Sequence, residues 1–196
     1  QTMSHKEYEI IVIDDGSIDK TAFSVELFSA PNDKVLRMIK NKENIGLPAS
    51  VNKGIKIALG KYIIRVDSDD FVNTHFLEFL SIYLETNSHI DAVASDYYLV
   101  DECEKVIERK NACQSPIACS VLFKKEHIIN IGMYDKNFKW QEEVELMIRF
   151  LEKYKIGYLE VPLYRYRKHK NNMTNNKEKM KKYKDMVLEK HIKLKA

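Results

Sequence analysis

The chain has 196 residues, 44% of them hydrophobic and 31% charged, with a net charge of +3. That is enough for one globular domain with a real core, and no apolar run approaches the roughly 18 residues of a membrane span. Cys103, Cys113 and Cys119 form no Cys-x-x-Cys pair, which argues against a zinc site and for free thiols in a reducing compartment.

Charge is unevenly spread. Residues 177–196 hold eight lysines against three acids, five net positive charges, so the remainder carries two net negative ones. A nearly neutral body argues against a nucleic-acid-binding core. The basic tail suits an acidic surface such as anionic lipid headgroups; a solvated helix or a homodimer contact competes with that reading. No signal peptide is visible, and the expected location is the cytoplasm, with peripheral contact at the cytoplasmic face of the membrane.

Residues 8–13 are a short apolar run ending in Asp14-Asp15-Gly16-Ser17, which predicts a buried strand with acids at its carboxyl end. Gly16 permits a tight turn, and Ser17 or Asp19 caps a helix over about 20–29, closed by Pro31-Asn32-Asp33. A strand follows at 35–39. Asn44-Ile45-Gly46 is a turn signal. Pro48 then opens a helix with Val51, Ile55, Ala58 and Leu59 at helical spacing and Gly60 as its stop. Residues 62–66 are apolar and β-branched, a buried strand, and run into Asp67-Ser68-Asp69-Asp70. Three carboxylates in four residues repel one another and resist burial, so they belong where the strand leaves the sheet. In open α/β sheets that carboxyl edge is where ligands bind, and hard oxygen donors suit Mg²⁺ or Mn²⁺. Arg65, inside the strand, is expected to have a structural partner.

Asn73 or Thr74 caps a helix to about residue 86, with Phe76, Leu77, Leu80 and Leu84 inward. Strands are expected at 92–95, 97–100 and 119–123, a hairpin or mobile loop at 102–111, and a short helix at 125–131 ending at Gly132. Residues 142–154 read as a helix with Val144, Met147, Ile148 and Leu151 inward. Pro162 parts strands at 158–161 and 163–166. A basic loop leads to a last helix, 177–194, with Met180, Tyr183, Val187 and His191 on one face. Early alternation of strand and helix predicts an α/β domain with a mainly parallel sheet flanked by helices. The two acid-tipped strands would then share one edge.

Taken in order, Asp14-Asp15-Gly16-Ser17, Asn44-x-Gly46, Ala49-x-x-Asn52-x-Gly54, Ala58-x-Gly60-x-Tyr62 and Asp67-Ser68-Asp69-Asp70 resemble the family 2 glycosyltransferases. So do Gly132-x-Tyr134-Asp135, Glu142-Glu143-x-Glu145-Leu146-x-x-Arg149 and Tyr164-Arg165-Tyr166-Arg167-x-His169. The resemblance implies a GT-A (nucleotide-diphospho-sugar transferase) fold over residues 1–170, with 171–196 as a basic tail helix. It implies a metal-dependent, inverting transfer from a nucleotide-diphosphate sugar, UDP-linked by expectation, to a hydroxyl of a glycan or lipid-linked acceptor. On this reading Asp14 or Asp15 contacts the nucleoside, and Asn44, Gly46 and Asn52 shape the sugar-nucleotide loop. Asp69 ligates Mn²⁺ or Mg²⁺ directly, Asp67 lies nearer the ribose or the ion's waters, and Asp70 stands behind them. Arg167 and His169 lie over the diphosphate, His169 on the metal. Glu143 takes the acceptor's proton, with Glu142 as the fallback. Trp140 stacks on a sugar ring or fills core. Members of the family open with a further strand and helix, and such a unit, about 30 residues, is expected to be missing ahead of Gln1.

Two rivals stand beside this. A Mg²⁺-dependent phosphatase also places Asp-x-Asp after an apolar strand, but no later Gly-Asp-x-x-x-Asp loop is present. A nucleotide-sugar-binding module without turnover is the non-enzymatic alternative.

Overall fold

The computed structural model describes residues 1–28 and 35–193; the expected stop at Pro31-Asn32-Asp33 and the helix end at Leu194 lie outside them. The amino-terminal half alternates as its sequence predicts. β1 (Ile10–Asp14), α1 (Thr21–Phe28), β2 (Leu36–Lys40) and α2 (Leu47–Ile57) follow in order, and β1 pairs with β2 in parallel. β3 is shorter than expected: only Tyr62–Ile63 pairs, and residues 64–67 carry no ladder. α2 also stops early, capped at Ala58, which leaves Leu59 81% exposed. The cause lies in tertiary contacts, because the Glu9 carboxylate accepts the Leu59 and Gly60 N–H groups, at 2.5 and 3.2 Å, and turns the chain there.

β4 (Phe71–Val72), α3 (Phe76–Thr86), β5 (Ala92–Val100), β6 (Val106–Lys110), β7 (Val121–Lys124), α4 (Lys125–Asn130), α5 (Glu142–Leu151), β8 (Ile156–Arg167) and α6 (Lys177–Lys193) complete the chain. The main sheet runs β3-β7-β5-β8-β4, with β6 on β5, and only its β5–β8 pairing is parallel. The expected mainly parallel sheet is therefore a mixed one. The pairs expected at 92–95 with 97–100, and at 158–161 with 163–166, are each one long strand. Pro162 is tolerated because it falls opposite Asp96, where the β5–β8 register shifts and a missing N–H costs little.

Side chains alternate across this sheet as strand geometry requires. Val121 and Phe123 point to one face with Ile55, Ile128, Leu146 and Phe150, while Leu122 and Val93 point to the other with Phe76, Leu80 and Tyr164.

The inward face of α5 differs from expectation. Glu142, Glu145, Leu146 and Phe150 are buried, whereas Val144 and Leu151 are exposed. The acids can be inside because they have partners. Glu145 binds Arg149 bidentately (2.8 and 2.5 Å) and Lys190 of α6 (2.6 Å). Burial raises the Glu145 carboxyl, but the Arg149 and Lys190 hydrogen bonds outweigh it and hold the group below its usual range. Lys190 also reaches Asp135, and Val187 and His191 are buried as their spacing predicts, so α6 packs along the body. Removing Glu145 strands Arg149 and frees α6. The variant Glu145→Ala is expected to lose about 3 kcal/mol in urea denaturation and to expose the α6 amides to hydrogen exchange. A loss under about 1 kcal/mol with α6 still protected would contradict the latch.

Candidate active site

A cleft of about 2060 Å³ runs from β1 and α2, past the end of β3, to the amino-terminal turns of α5 and α6. Both acid-bearing segments reach it: Asp15 on one side, Asp67, Asp69 and Asp70 on the other. α2, between β2 and β3 in the chain, packs against β1, and the segments that follow β1 and β3 bring Asp15 and Asp67 to the same cleft.

On the β1 side the adjacent acids part company. Asp14 is buried; its Oδ1 accepts the Ser17 N–H at 2.8 Å and its Oδ2 lies 3.8 Å from Lys40 Nζ. It closes the turn and does not line the cleft. Asp15 does line it, and its oxygens accept the N–H groups of Ile45 and Gly46 and the Asn41 amide, each at 2.9 Å. Burial raises the Asp15 carboxyl, but these donors outweigh it and keep the group below its usual range. Gly16 is indispensable here. Its φ is +79°, and a Cβ would sit 2.6 Å from the Glu43 carbonyl carbon, so the Asp15 turn and the 43–46 loop touch backbone to backbone. Asn44 lines the cleft and accepts the Gly46 N–H at 3.2 Å. Asn52 is spent elsewhere, as it brackets the Tyr134 backbone through both its amide atoms, at 2.7 and 3.0 Å, and is buried outside the cleft.

On the β3 side, Arg65 organises the acids. Its guanidinium meets Asp67 at 2.9 Å, Glu142 at 3.1 Å and the Cys119 Sγ at 3.3 Å. Both Asp67 oxygens face Arg65, so this carboxylate is largely committed. Asp70 accepts the Tyr164 O–H at 2.8 Å and the Arg167 N–H at 2.7 Å, and Tyr164 in turn accepts the Asp67 N–H at 3.2 Å. Burial pushes Asp70 up to about 6 despite these donors. Asp67, Asp70 and Cys119 converge closely enough to invite a metal, but the carboxylates already have donors and burial pushes the thiol well above its ordinary range, keeping it protonated.

Asp69 is the freest of the acids, and His169 Nε2 lies 2.7 Å from its Oδ2. Asn172 fixes the histidine loop by accepting the His169 N–H at 2.6 Å. An accessible carboxylate beside an imidazole nitrogen is a donor set that a divalent cation accepts. Arg167 does not join them. Its guanidinium pairs with Glu104 at 3.3 Å and lies 5.2 Å from the Phe71 ring, away from the cleft lining.

At the far end, Gln141 adopts a left-handed conformation (φ +59°) just before α5, uncommon for a non-glycine residue and a feature that spacing does not reveal. It turns Glu142 and Glu143 toward the cleft, which both line. Glu143 is half-buried and Glu142 only 4% exposed. Trp140 lies 5.4 Å from the Tyr183 ring with Lys179 Nζ 4.5 Å above it, so the start of α6 forms part of this wall. Arg65, Cys119 and Gln141 join the site from outside the motifs, and Tyr164 of the Tyr-Arg-Tyr-Arg motif supports the acids. Only the charge of Arg65 inside an apolar strand hinted at such a role.

Burial, then the neighbouring Glu143, push Glu142 up to about 7 against the pull of Arg65. The folded chain thus holds this proton more tightly than the unfolded chain does. The stability it contributes is complete below pH 4.5 and is lost as pH rises to about 7. Asp70 acts in the same direction at slightly lower pH. Glu142→Gln should therefore flatten the fall in melting temperature between pH 5 and 7.5, removing about 2 kcal/mol of pH dependence. An unchanged slope would place the titration elsewhere.

Residues 1–143 match the model of glycosyl transferase family 2. An uncharacterized glycosyltransferase of Methanocaldococcus jannaschii is 30% identical over 203 residues, covering 96% of this chain and 70% of the relative. One from Haemophilus influenzae is 40% identical over 101 residues, 52% of this chain and 31% of the relative. The structure of S. aureus TarS in complex with UDP-GlcNAc superposes with a TM-score of 0.77 at 20% identity, covering 95% of this chain and 58% of that one. Mannosyltransferase PcManGT from Pyrobaculum calidifontis, in complex with GDP-Man and Mn²⁺, gives 0.78 at 14% identity, covering 98% and 57%. The chain thus spans under two thirds of those structures and about a third of the Haemophilus relative, and it shares their GT-A fold. On its sequence match and its architecture together, the chain belongs to glycosyl transferase family 2.

Proposed function

We propose that the cleft transfers a sugar from a nucleoside-diphosphate donor to an acceptor hydroxyl, with inversion at the anomeric carbon. The observation that carries this reading is the pair Asp69 and His169, 2.7 Å apart beside a cleft whose opposite wall holds Asp15 and whose end holds Glu143. Asp69 and His169 would hold Mn²⁺ or Mg²⁺. Such an ion supplies Lewis-acid stabilisation of the departing diphosphate. PcManGT is bound to Mn²⁺, which supports a divalent ion here.

Asp67, held by Arg65, offers its remaining lone pairs to the ribose or to water. Asp15 fixes the 44–46 loop, so Asn44 and Gly46 present a preset edge to the nucleoside. From outside the cleft Asp14 closes the turn beside this wall, Asn52 anchors the Tyr134 backbone, and Arg167 backs the opposite side through its N–H to Asp70. Glu143 takes the proton of the acceptor hydroxyl as its oxygen bonds to the anomeric carbon and the bond to the diphosphate oxygen breaks. Attack opposite the leaving group in a single displacement inverts the configuration. Glu142 is poorly suited to that role because Arg65 holds it. TarS is bound to UDP-GlcNAc, which supports a UDP-sugar donor, and a glycan or lipid-linked acceptor fits the end lined by Trp140. No helix among the described residues is long and apolar enough to cross a membrane. The exposed Lys177, Lys181 and Lys184, along one side of α6, suit peripheral contact with anionic lipid on the cytoplasmic face.

Calorimetry with UDP and Mn²⁺, followed by donor turnover, tests the assignment. Asp69→Asn and His169→Ala should weaken Mn²⁺-dependent binding at least tenfold. Glu143→Gln should leave binding within about twofold and cut turnover by about 10²-fold or more. Full turnover in Glu143→Gln would remove it as the base. Binding without turnover in the unsubstituted chain would favour the binding-module reading.

A further inference from the structure

We propose that Asn172 is a positioning residue for the transfer, acting on donor binding through His169, whose imidazole it sets against Asp69 by closing the turn that carries it. The proposal deepens the sugar-transfer reading and rests on that reading's use of His169. Asn172 belongs to none of the motifs. Its loop, however, holds Asn171, Asn172, Asn175 and Asn176 in close succession, a composition suited to turns built from side-chain bonds to the backbone.

The turn from His169 to Asn172 is closed from both ends. The Asn172 N–H donates to the His169 carbonyl at 3.3 Å, and the Asn172 Oδ1 accepts the His169 N–H at 2.6 Å. The Asn172 Nδ2 donates to the Arg167 carbonyl at 3.1 Å, which ties the turn to the last residue of β8. Asn175 holds the same turn from the other side, its Nδ2 donating to the His169 and Lys170 carbonyls at 3.0 Å each. One side chain, Asn172, thus joins the strand end, the histidine backbone and its own peptide into a single unit.

That unit decides where the ring lies. The closed turn brings the Asn171 N–H to His169 Nδ1 at 3.2 Å, which fixes the ring's rotation and leaves Nε2 facing Asp69 Oδ2 at 2.7 Å. Asp69 and Asn172 line the cleft and His169 does not, so the imidazole meets the site from its edge and its reach depends on what holds it. A histidine released from the turn would sample other side-chain rotamers, and most of them point away from Asp69. Contacts that orient a ligating histidine are worth about 10- to 100-fold in metal affinity, so the effect is large enough to read.

The test is calorimetry of UDP binding in the presence of Mn²⁺, run as a double-substitution cycle. Asn172→Ala is expected to weaken binding by at least about fivefold. The chain carrying both Asn172→Ala and His169→Ala should bind within about twofold of His169→Ala alone, because a residue that acts through the histidine has nothing left to act on. In the ion-free chain, amide exchange at His169 and Asn171 should quicken about tenfold in Asn172→Ala, with the Tyr164 amide of β8 unchanged. Losses that add in the double variant would mean that Asn172 meets the ligand itself or merely props the loop, and would overturn the proposal. So would binding by Asn172→Ala within about twofold of the unsubstituted chain. Either result leaves the sugar-transfer reading standing, whereas an unsubstituted chain that binds no UDP with Mn²⁺ would remove that reading and this proposal together.

Discussion

One guanidinium joins the two acidic walls of this molecule. Arg65 sits where β3 leaves the sheet, largely shielded from water, and bridges Asp67 beside it to Glu142 at the start of α5, 77 residues away. A carboxylate in such a place is costly, and two facing one another are more so. With a single permanent cation between them, the strand end and the helix start can approach without repulsion. Removing that cation would leave two poorly hydrated carboxylates face to face, the situation in which breaking a buried pair is most destabilising. The distance between the acid cluster and the α5 acids is thus set by a residue that needs no contact with a ligand.

The remaining supports radiate from that point. Tyr164, in the middle of β8, donates to Asp70 and accepts from the Asp67 backbone, so the acidic loop rests on the main sheet. The loop after β8 returns His169 to Asp69. α5 is secured from behind by Glu145, which Arg149 and Lys190 neutralise together, and the latter contact brings α6 across the end of the cleft. Each contact links residues far apart in the chain, so the cleft's shape belongs to the assembled domain and to no single segment.

Much of this architecture was legible beforehand. Runs of β-branched residues ending in acids marked β1 and β3, and helical spacing marked α2, α3 and the inward stripe of α6 through Val187 and His191. The inward face of α5 departs from expectation for a tertiary reason. Val144 and Leu151 were expected inside α5 because apolar residues usually are, yet Glu142 and Glu145 took that face because partners from β3 and α6 neutralise them. Asn52 resembled a ligand-loop residue, but its amide is consumed by the Tyr134 backbone 82 positions away. Arg167, a diphosphate contact by resemblance, has its guanidinium 3.3 Å from Glu104.

Local pattern by itself determined which segments are strands and helices, where acids cluster and which stripe of each regular helix is apolar, because those properties depend on residues a few positions apart. Only the tertiary structure decided which acid is free and which is committed. Asp67 is held and Asp69 is accessible, Asp14 is buried in a turn and Asp15 faces the cleft, and Glu142 is paired while Glu143 is not. Neighbouring carboxylates are chemically alike, so what separates them is the field and the hydrogen bonds of groups that folding brings from elsewhere.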